Sequence, residues 1–392
     1  MRIVDLFSGA GGLTFGFYYK LINNEFIQNE NCEIVFANEW DKCAAEAFRK
    51  NFPSINMINK DIKSLTENEI KENIADKEID LIIGGPPCQS YSTIGRRKYD
   101  DKAKMYEEYY RLLSIIKPKM FLFENVKGML SMKNPNGGKV IEDIKKSFDS
   151  IEYNIDFRVL DAANYGVPQH RERVFIIGWR KDLNIKWSFE NIEKSKKQIS
   201  IKQAINDLPS VSAGTNVTSY NGKQPTNSYQ KLMRKHSKHI SCHFSPVYGN
   251  KIQTIINHVT QGKGKNYINE LVDKGLIPKE YRLTSGYDNT YGRLIENQPS
   301  TTITNNMSTP SGLRCIHYTE NRALTPREGA RIQSFPDWFE FVGTKKDITT
   351  QIGNAVPPLL AMKIATQIEK VLSEVWWKIP IIKYFLTFHI LH

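Results

Sequence analysis

The segment Gly84-Gly85-Pro86-Pro87-Cys88-Gln89-Ser90-Tyr91-Ser92 follows a short apolar run and holds one thiol in a turn of glycine, proline and polar side chains. Glycine lets a ligand approach the backbone closely and proline fixes its dihedrals, so the turn presents Cys88 rigidly from a strand's carboxyl end. A thiol attacks as thiolate, and partial exposure near backbone N–H groups or cations favours that form. This is the setting of a nucleophile. An inert, buried small hydrophobe is the better description of Cys32 and Cys43.

Three further clusters carry polar chemistry. Asp5-Leu6-Phe7-Ser8-Gly9-Ala10-Gly11-Gly12 leaves a strand and enters a helix, so its glycines allow close approach of a ligand at a helix N-terminus. Thr14 stands where G-x-G-x-x-G would have its third glycine, which disfavours a dinucleotide. Glu39 ends the second strand, where a carboxylate can accept both hydroxyls of a ribose, and Asp61 follows the third, where one can accept from an adenine amino group. Helix N-caps or solvated turns are the alternative for both. Glu124-Asn125-Val126 follows an apolar run and puts a carboxyl group at the floor of the cleft holding Cys88. Gln169-His170-Arg171-Glu172-Arg173 brings two arginines there, with a phosphate site or a structural ion pair as the alternative.

The elements that must position these groups alternate. Strands are expected at residues 3–7, 33–37, 55–58, 79–83, 120–123, 157–160 and 174–178, and helices between them at 41–51, 106–116 and 138–150. This is the α/β pattern of a doubly wound, mostly parallel sheet, whose ligands lie beyond the strands' carboxyl ends. From 181 to 321 the sequence becomes rich in Ser, Asn, Thr, Gly and Lys with no clear helical period, which predicts a smaller, irregular second domain. A helix returns at 325–333, opened by Thr-Pro-Arg-Glu, a capping box with proline at the first helical position. Another is expected at 358–375. The domain order is therefore 1–180, 181–321, 322–375 returning to the first domain, and an apolar tail at 376–392. At 17 residues with Lys378, Pro380 and Lys383 inside, the tail is a poor membrane span. An oligomer contact or packing onto the core is expected of it.

The 392 residues carry a net charge of +12, which points to a polyanionic partner. No Asp or Glu occurs from Leu208 to Asn269, where the chain's average of 42 acids in 392 would give about six or seven. Lys223, Lys231, Arg234, Lys235, Lys238, Lys251, Lys263 and Lys265 fall there, a distribution suited to phosphate contact. Five cysteines without a C-x-x-C pair argue against a disulfide framework and fit a reducing compartment. The start has no signal-peptide pattern, so a cytoplasmic location is expected. His236-x-x-His239-x-x-Cys242-His243 matches no standard zinc spacing, and DNA contact or plain surface is the better reading.

Together these segments closely resemble the DNA cytosine-5 methyltransferases, whose blocks occur here in the family's order: residues 5–16, 38–41, 85–90, 124–126, 169–178, 322–336 and 351–357. The resemblance implies a Rossmann-like fold and S-adenosylmethionine as donor. Its pocket would be lined by Phe7, Gly9, Gly11, Gly12, Leu13, Glu39, Trp40, Asp61, Ile62, Pro86, Met105, Asn354, Ala355 and Val356, with Trp40 stacking on the adenine. It also implies Cys88 as nucleophile, Glu124 as acid, and Arg171 and Arg173 as partners of the base and the catalytic groups. Gln89, Ser90, Thr302 and Ile303 would contact DNA, residues 181–321 would form the target recognition domain, and the target cytosine would be flipped from the duplex. Lys102 departs from the family's Asp-x-Arg-Gly-like turn in the loop after Cys88 and cannot reproduce bidentate guanidinium contacts.

On this reading the protein methylates duplex DNA as a monomer, within a restriction-modification system whose endonuclease acts on the same site without a stable complex. A tRNA methyltransferase is disfavoured because the variable region carries no Cys-Phe-Thr element. A DNA-binding protein without catalysis is disfavoured by the intact Pro-Pro-Cys, Glu-Asn-Val and Arg-x-Arg blocks.

Overall fold

The computed structural model describes residues 1–86, 105–134 and 136–376. Its strands are β1 (Arg2–Leu6), β2 (Tyr19–Ile22), β3 (Glu25–Gln28), β4 (Glu33–Asn38), β5 (Met57–Ile58), β6 (Leu81–Gly84), β7 (Met120–Val126), β8 (Tyr153–Asp161) and β9 (Glu172–Arg180). Seven of them form one sheet in the order β5-β4-β1-β6-β7-β9-β8, and β2 and β3 form a separate hairpin. Neighbours from β5 to β7 pair in parallel, whereas β9 runs antiparallel to β7 and β8. The order of growth reverses between β1 and β6, and a crevice opens at such a reversal, beyond the carboxyl ends of the strands.

Strand residues alternate between the two sides of the sheet, and both sides are apolar, so both are covered. Ile3, Leu81, Ile83, Met120 and Leu122 enter one core, while Val4, Leu6, Ile82, Phe121 and Phe123 enter the other. The covering helices of the first half are α1 (Gly12–Tyr18), α2 (Lys42–Asn51), α3 (Glu67–Ile74), α4 (Met105–Ile116) and α5 (Val140–Ser150). The Asp41 side chain caps α2 by accepting from Ala44 N–H, and Thr66 with Glu69 makes a capping box for α3.

The segment 181–321 differs from its expectation. It contains α6 (Ile201–Ile205), α7 (Ser228–Arg234), α8 (Asn250–His258) and α9 (Lys265–Asp273), and isolated bridges in place of named strands. Helices of five to nine residues that bury only two to four side chains leave too short an apolar stripe to register as a period. The apolar packing divides inside this segment. Ile185 to Ile240 join the first core, whereas Ile255, Ile256, Val259, Ile268, Val272, Ile277 and Ile316 form a small core of their own.

The chain then returns through α10 (Pro326–Ile332), α11 (Lys345–Asn354) and α12 (Pro358–Trp376). Thr325 and Glu328 form the expected capping box, with Pro326 in the first turn. Helix α11, opened by Thr344 and Asp347, had no counterpart in the sequence reading, nor did the β2–β3 hairpin. Among the described residues no helix is long and apolar enough to cross a membrane.

Helix α12 lies directly on α1. A Cβ on Gly16 would stand 2.4 Å from the Ala361 carbonyl carbon and 2.5 Å from Met362 N. Gly→Ala inside an exposed helix normally stabilises by up to about 1 kcal/mol. Here the sign reverses: Gly16→Ala is expected to destabilise by about 1–3 kcal/mol, the usual cost of overpacking, read from the urea midpoint at unchanged m-value.

Candidate active site

The turn from β1 to α1 bends through left-handed backbone at Phe7 (φ 56°), Gly9 (φ 56°) and Gly11 (φ 97°). Space also demands glycine here: a Cβ on Gly11 would lie 2.4 Å from the Phe52 ring, and one on Gly12 2.5 Å from the Val356 carbonyl oxygen. A buried carboxylate clasps the turn. Glu39 Oε2 accepts from Gly9 N–H at 2.9 Å and Oε1 from Asp41 N–H at 2.8 Å. Each oxygen keeps a lone pair for a further donor. Asn59 Nδ2 donates to the carbonyls of Glu39 and Trp40, and Asn38 Nδ2 to those of Ile58 and Lys60, stitching the ends of β4 and β5.

Trp40 is 73% exposed, a large aromatic face left open at the strand ends. Asp61 caps the turn Ile62–Ser64 by accepting from Lys63 N–H, so the N-cap alternative describes it, with Ile62 buried behind. Leu13 and Val356 are buried, Ala355 and Met105 half-buried, and Asn354 exposed.

Beneath this turn, Asp5 is fully buried. Thr14 Oγ1 donates to its Oδ2, while Oδ1 has no hydrogen bond among the described residues. Burial, more than the nearby charge of Glu39, pushes the Asp5 carboxyl up to about 8. Thr14, which read only as a missing glycine, is thus the partner that ties α1 to β1.

The second turn follows β6. Leu6 and Gly84 are register partners, and a Cβ on Gly84 would stand 2.6 Å from the Leu6 carbonyl oxygen. The Gly85 Cβ position lies 2.9 Å from Glu124 Oε2, so a side chain there would strike the carboxyl group. Asn125 Nδ2 donates to the buried Pro86 carbonyl at 3.3 Å while its Oδ1 accepts from Val126 N–H at 2.8 Å. Asn125, given no role of its own in the sequence reading, anchors the start of the turn. Cys88, Gln89, Ser90 and Lys102 lie outside the described residues.

Glu124 is 9% exposed. Burial raises its pKa, and the charges of Arg173 and Arg171 oppose the rise. Arg173 Nε lies 3.3 Å from Glu124 Oε1. In the ladder Val126 pairs with Arg173 and Glu124 with Phe175, so Glu124 and Arg173 are diagonal neighbours on one face of the sheet.

Arg171 is held by the main chain of two distant segments. Its guanidinium is buried and donates to the carbonyls of Ile303 at 3.0 Å and Gly353 at 2.9 Å. Gln169 extends the lacing: Oε1 accepts from Ile303 N–H, and Nε2 donates to Gln333 Oε1 and the Ile332 carbonyl. Thr302 Oγ1 donates to the His170 carbonyl. A Cβ on Gly353 would stand 2.3 Å from Asn305 N. The Thr302–Ile303 segment is therefore bound to β9's leading turn and to α11, and Arg171 acts as the tie while Arg173 faces the carboxyl group.

The acid-free stretch is also partly spent inside the protein. Lys235 and His236 pair with Glu25, Lys223 donates to the carbonyls of Asn206 and Leu208, and Arg234 stacks on Tyr220. Lys231, Lys238 and Lys251 are exposed and make no ion pair among the described residues. His243 is buried between Thr325 Oγ1 and the Pro209 carbonyl, which engages both ring nitrogens. Burial raises the thiol pKa of Cys32, Cys43, Cys242 and Cys315, to about 12 for Cys32 and Cys315, so these four are poor nucleophiles.

Residues 1–370 match the family described as C-5 cytosine-specific DNA methylase. The Type II methyltransferase M.DdeI of Desulfomicrobium norvegicum is 32% identical over 94% of this chain and 88% of its own length. M.FnuDI of Fusobacterium nucleatum is 33% identical over 95% and 96% respectively. Among solved structures, a prophage-encoded DNA modification methyltransferase from E. coli superposes with a TM-score of 0.72 at 26% identity, covering 95% of this chain and 99% of that one. The Dnmt2 methyltransferase of S. pombe, at 16% identity and a TM-score of 0.55 over 94% of this chain and 99% of its own, shares the fold.

The buried Asp5 makes a pH-dependent prediction. A carboxyl group whose folded value (about 8) exceeds its unfolded one (3.8) holds its proton more tightly in the folded chain. Its stabilising effect is complete at low pH and declines as pH rises towards 8. Relative to wild type, Asp5→Asn should gain stability between about pH 4 and about pH 8, by at most about 1.4 kcal/mol per pH unit. Urea denaturation across that range checks it; a difference that does not vary with pH removes the raised value.

Proposed function

The chain belongs to the C-5 cytosine-specific DNA methylase family and is a DNA cytosine-5 methyltransferase, and from that premise we propose that Cys88 is its nucleophile and S-adenosylmethionine its methyl donor. The observation that carries this reading is the juxtaposition at the β1/β6 reversal. The Gly9–Gly12 turn clasped by Glu39 stands beside the Gly85-Pro86 turn that leads to Cys88, and Glu124 closes against Gly85.

The residues suit the donor. The Glu39 carboxylate retains lone pairs for ribose hydroxyls, the open Trp40 ring offers a stacking face, and Asp61 is an exposed acceptor. Phe7, Gly9, Gly11, Gly12, Leu13, Ile62, Pro86, Met105, Asn354, Ala355 and Val356 complete the proposed pocket. When bound, the donor supplies a sulfonium methyl group.

Carbon 5 of cytosine is too weak a nucleophile to accept a methyl group until the ring gains electron density. Cys88 provides it by adding to carbon 6. Glu124 hydrogen-bonds ring nitrogen 3 and the exocyclic amine, and its burial favours the protonated form that can donate to that nitrogen. Arg173 beside it sets the orientation of the carboxyl group and moderates that rise. Arg171 is a positioning residue, holding Ile303 and α11 in place. After methylation a base removes the carbon 5 proton and the Cys88 thiolate leaves. These steps need access to both faces of the base, so the cytosine is flipped from the duplex. Residues 181–321 form the recognition domain, Gln89, Ser90, Thr302 and Ile303 contact DNA near the extruded base, and exposed Lys231, Lys238 and Lys251 contribute phosphate contacts. By likeness to the Type II relatives, the enzyme is assigned to a restriction-modification system, acting as a monomer independently of its endonuclease.

Cys88→Ser should abolish methyl transfer to duplex DNA while DNA binding persists; near-normal transfer would remove Cys88 as nucleophile. Glu124→Gln should lower kcat by about 10²–10⁴-fold with S-adenosylmethionine affinity retained, measured by single-turnover kinetics and titration calorimetry. Exchanging residues 181–321 for those of M.FnuDI should exchange the methylated sequence read by bisulfite sequencing, and an unchanged sequence would refute the recognition role.

A further inference from the structure

Arg293 donates to the carbonyls of Ile256, Val259, His317 and Glu320, Arg322 pairs with Glu320 and Glu328, and Arg331 pairs with Asp207 and Asp337. Arg314 has no such company. Its side chain is half-buried and makes no hydrogen bond or ion pair among the described residues, and its Nε is enclosed without an acceptor. Its backbone is left-handed (φ 34°), a conformation that costs a residue with a side chain about 1–3 kcal/mol. The surrounding main chain holds it there. Arg314 N–H donates to the Asn289 carbonyl at 2.9 Å, Leu313 bridges to Thr290, and a Cβ on Gly292 would stand 3.0 Å from Arg314 Cα.

Arg314 ends a compact loop that starts at Thr302–Ile303. Met307 N–H donates to the Thr304 carbonyl, Thr309 N–H to that of Asn306 and Gly312 N–H to that of Thr309, and Cys315 Sγ reaches the Thr309 carbonyl at 2.8 Å. At its start Gln169 and Arg171 lace the loop to the turn before β9, the strand that brings Arg173 to Glu124. A second cation meets the same loop. Lys345, the first residue of α11, is half-buried, and its Nζ donates to the Ser308 carbonyl at 3.3 Å. It makes no ion pair among the described residues, and burial lowers its pKa with no carboxylate to offset the cost. Ser308 Oγ, beside it, is buried without a hydrogen bond among the described residues.

Holding two cations partly out of water without a counter-charge is costly, and an anion that completes the site offsets the cost. A base edge offers uncharged acceptors, whereas a phosphate offers net charge to a guanidinium fork and an ammonium alike. We propose that Arg314 and Lys345 each bind a backbone phosphate of the substrate DNA, one from the recognition segment and one from the catalytic part of the chain, so that both parts grip the duplex. The proposal rests on duplex DNA being the substrate.

Fluorescence anisotropy between about 50 and 300 mM salt measures binding to a duplex carrying the sequence that the wild-type chain methylates. Arg314→Gln and Lys345→Gln should each bind roughly tenfold more weakly at about 0.1 M salt. Each should also make the slope of log affinity against log salt shallower by about one, and the double variant by about two. Arg314→Lys and Lys345→Arg, which keep the charge, should restore the slope. If Arg314→Gln fails to fold, Arg314→Gly, which suits the left-handed backbone, takes its place. Weaker binding at an unaltered slope would make both residues mere supports of the loop and overturn the proposal. A base preference relaxed at one position in bisulfite sequencing would assign Arg314 to a base edge and overturn it equally. Absence of methyl transfer to duplex DNA by the wild-type chain would overturn the reading of function as well, whereas transfer with unaltered slopes overturns this proposal alone.

Discussion

The main-chain ladder between β1 and β6 joins Leu6 to Gly84 where the parallel part of the sheet reverses its order of growth. Both strands end there, so the two turns that leave them must share one crevice. The approach is close enough that Gly84 can carry no side chain, and the next residue, Gly85, yields its space to the Glu124 carboxyl group. Glycine in these turns therefore reflects contact at atomic range as well as backbone freedom. The clasp of Glu39 on Gly9, the hold of Asn125 on Pro86 and the tie of Thr14 to Asp5 all serve to keep that one juxtaposition rigid.

A second layer of buried polar ties makes the two halves of the chain into one site. Arg171, Gln169 and Gln333 join the turn before β9 to Ile303 and to α11, elements distant in sequence, through main-chain carbonyls and amides. Buried polar groups engaged in this way favour one arrangement, because another would leave more donors unpaired away from water. The same logic holds at Arg331, which is bound by Asp207 and Asp337 with no exposure of any of the three side chains. Residues 181–321 are thus not merely appended: their first part shares the main core, and their Thr302–Ile303 segment is laced to β9's leading turn.

The sheet, its strand ends and the groups on them were legible because each leaves a local mark. Apolar runs alternate with capped helices, and Gly9, Gly11, Glu39, Gly85 and Glu124 all fall where such runs stop. Long-range partnership leaves no such mark. Nothing near Arg171 in the sequence announces carbonyls at positions 303 and 353, so it read like its neighbour Arg173, which lies 3.3 Å from Glu124. Thr14 read as a departure from a glycine motif because its partner Asp5 lies on the preceding strand, in the core. The lysines of the acid-free stretch read as a phosphate surface, yet Lys235 is held by Glu25, a residue of a hairpin too short to show its own period. Helices α6 to α9 were missed for the same reason of length.

The central claim, that covalent attack by Cys88 beside Glu124 drives methyl transfer, is tested most directly by trapping the adduct. In duplex DNA bearing 5-fluorocytosine at the target, carbon 5 has no proton to lose after methylation, so the bond from enzyme to carbon 6 should persist. Peptide mapping of the stalled complex by mass spectrometry should find the modified nucleotide on Cys88 alone, formed only when S-adenosylmethionine is present. No adduct, or an adduct on Cys32, Cys43, Cys242 or Cys315, would contradict the account.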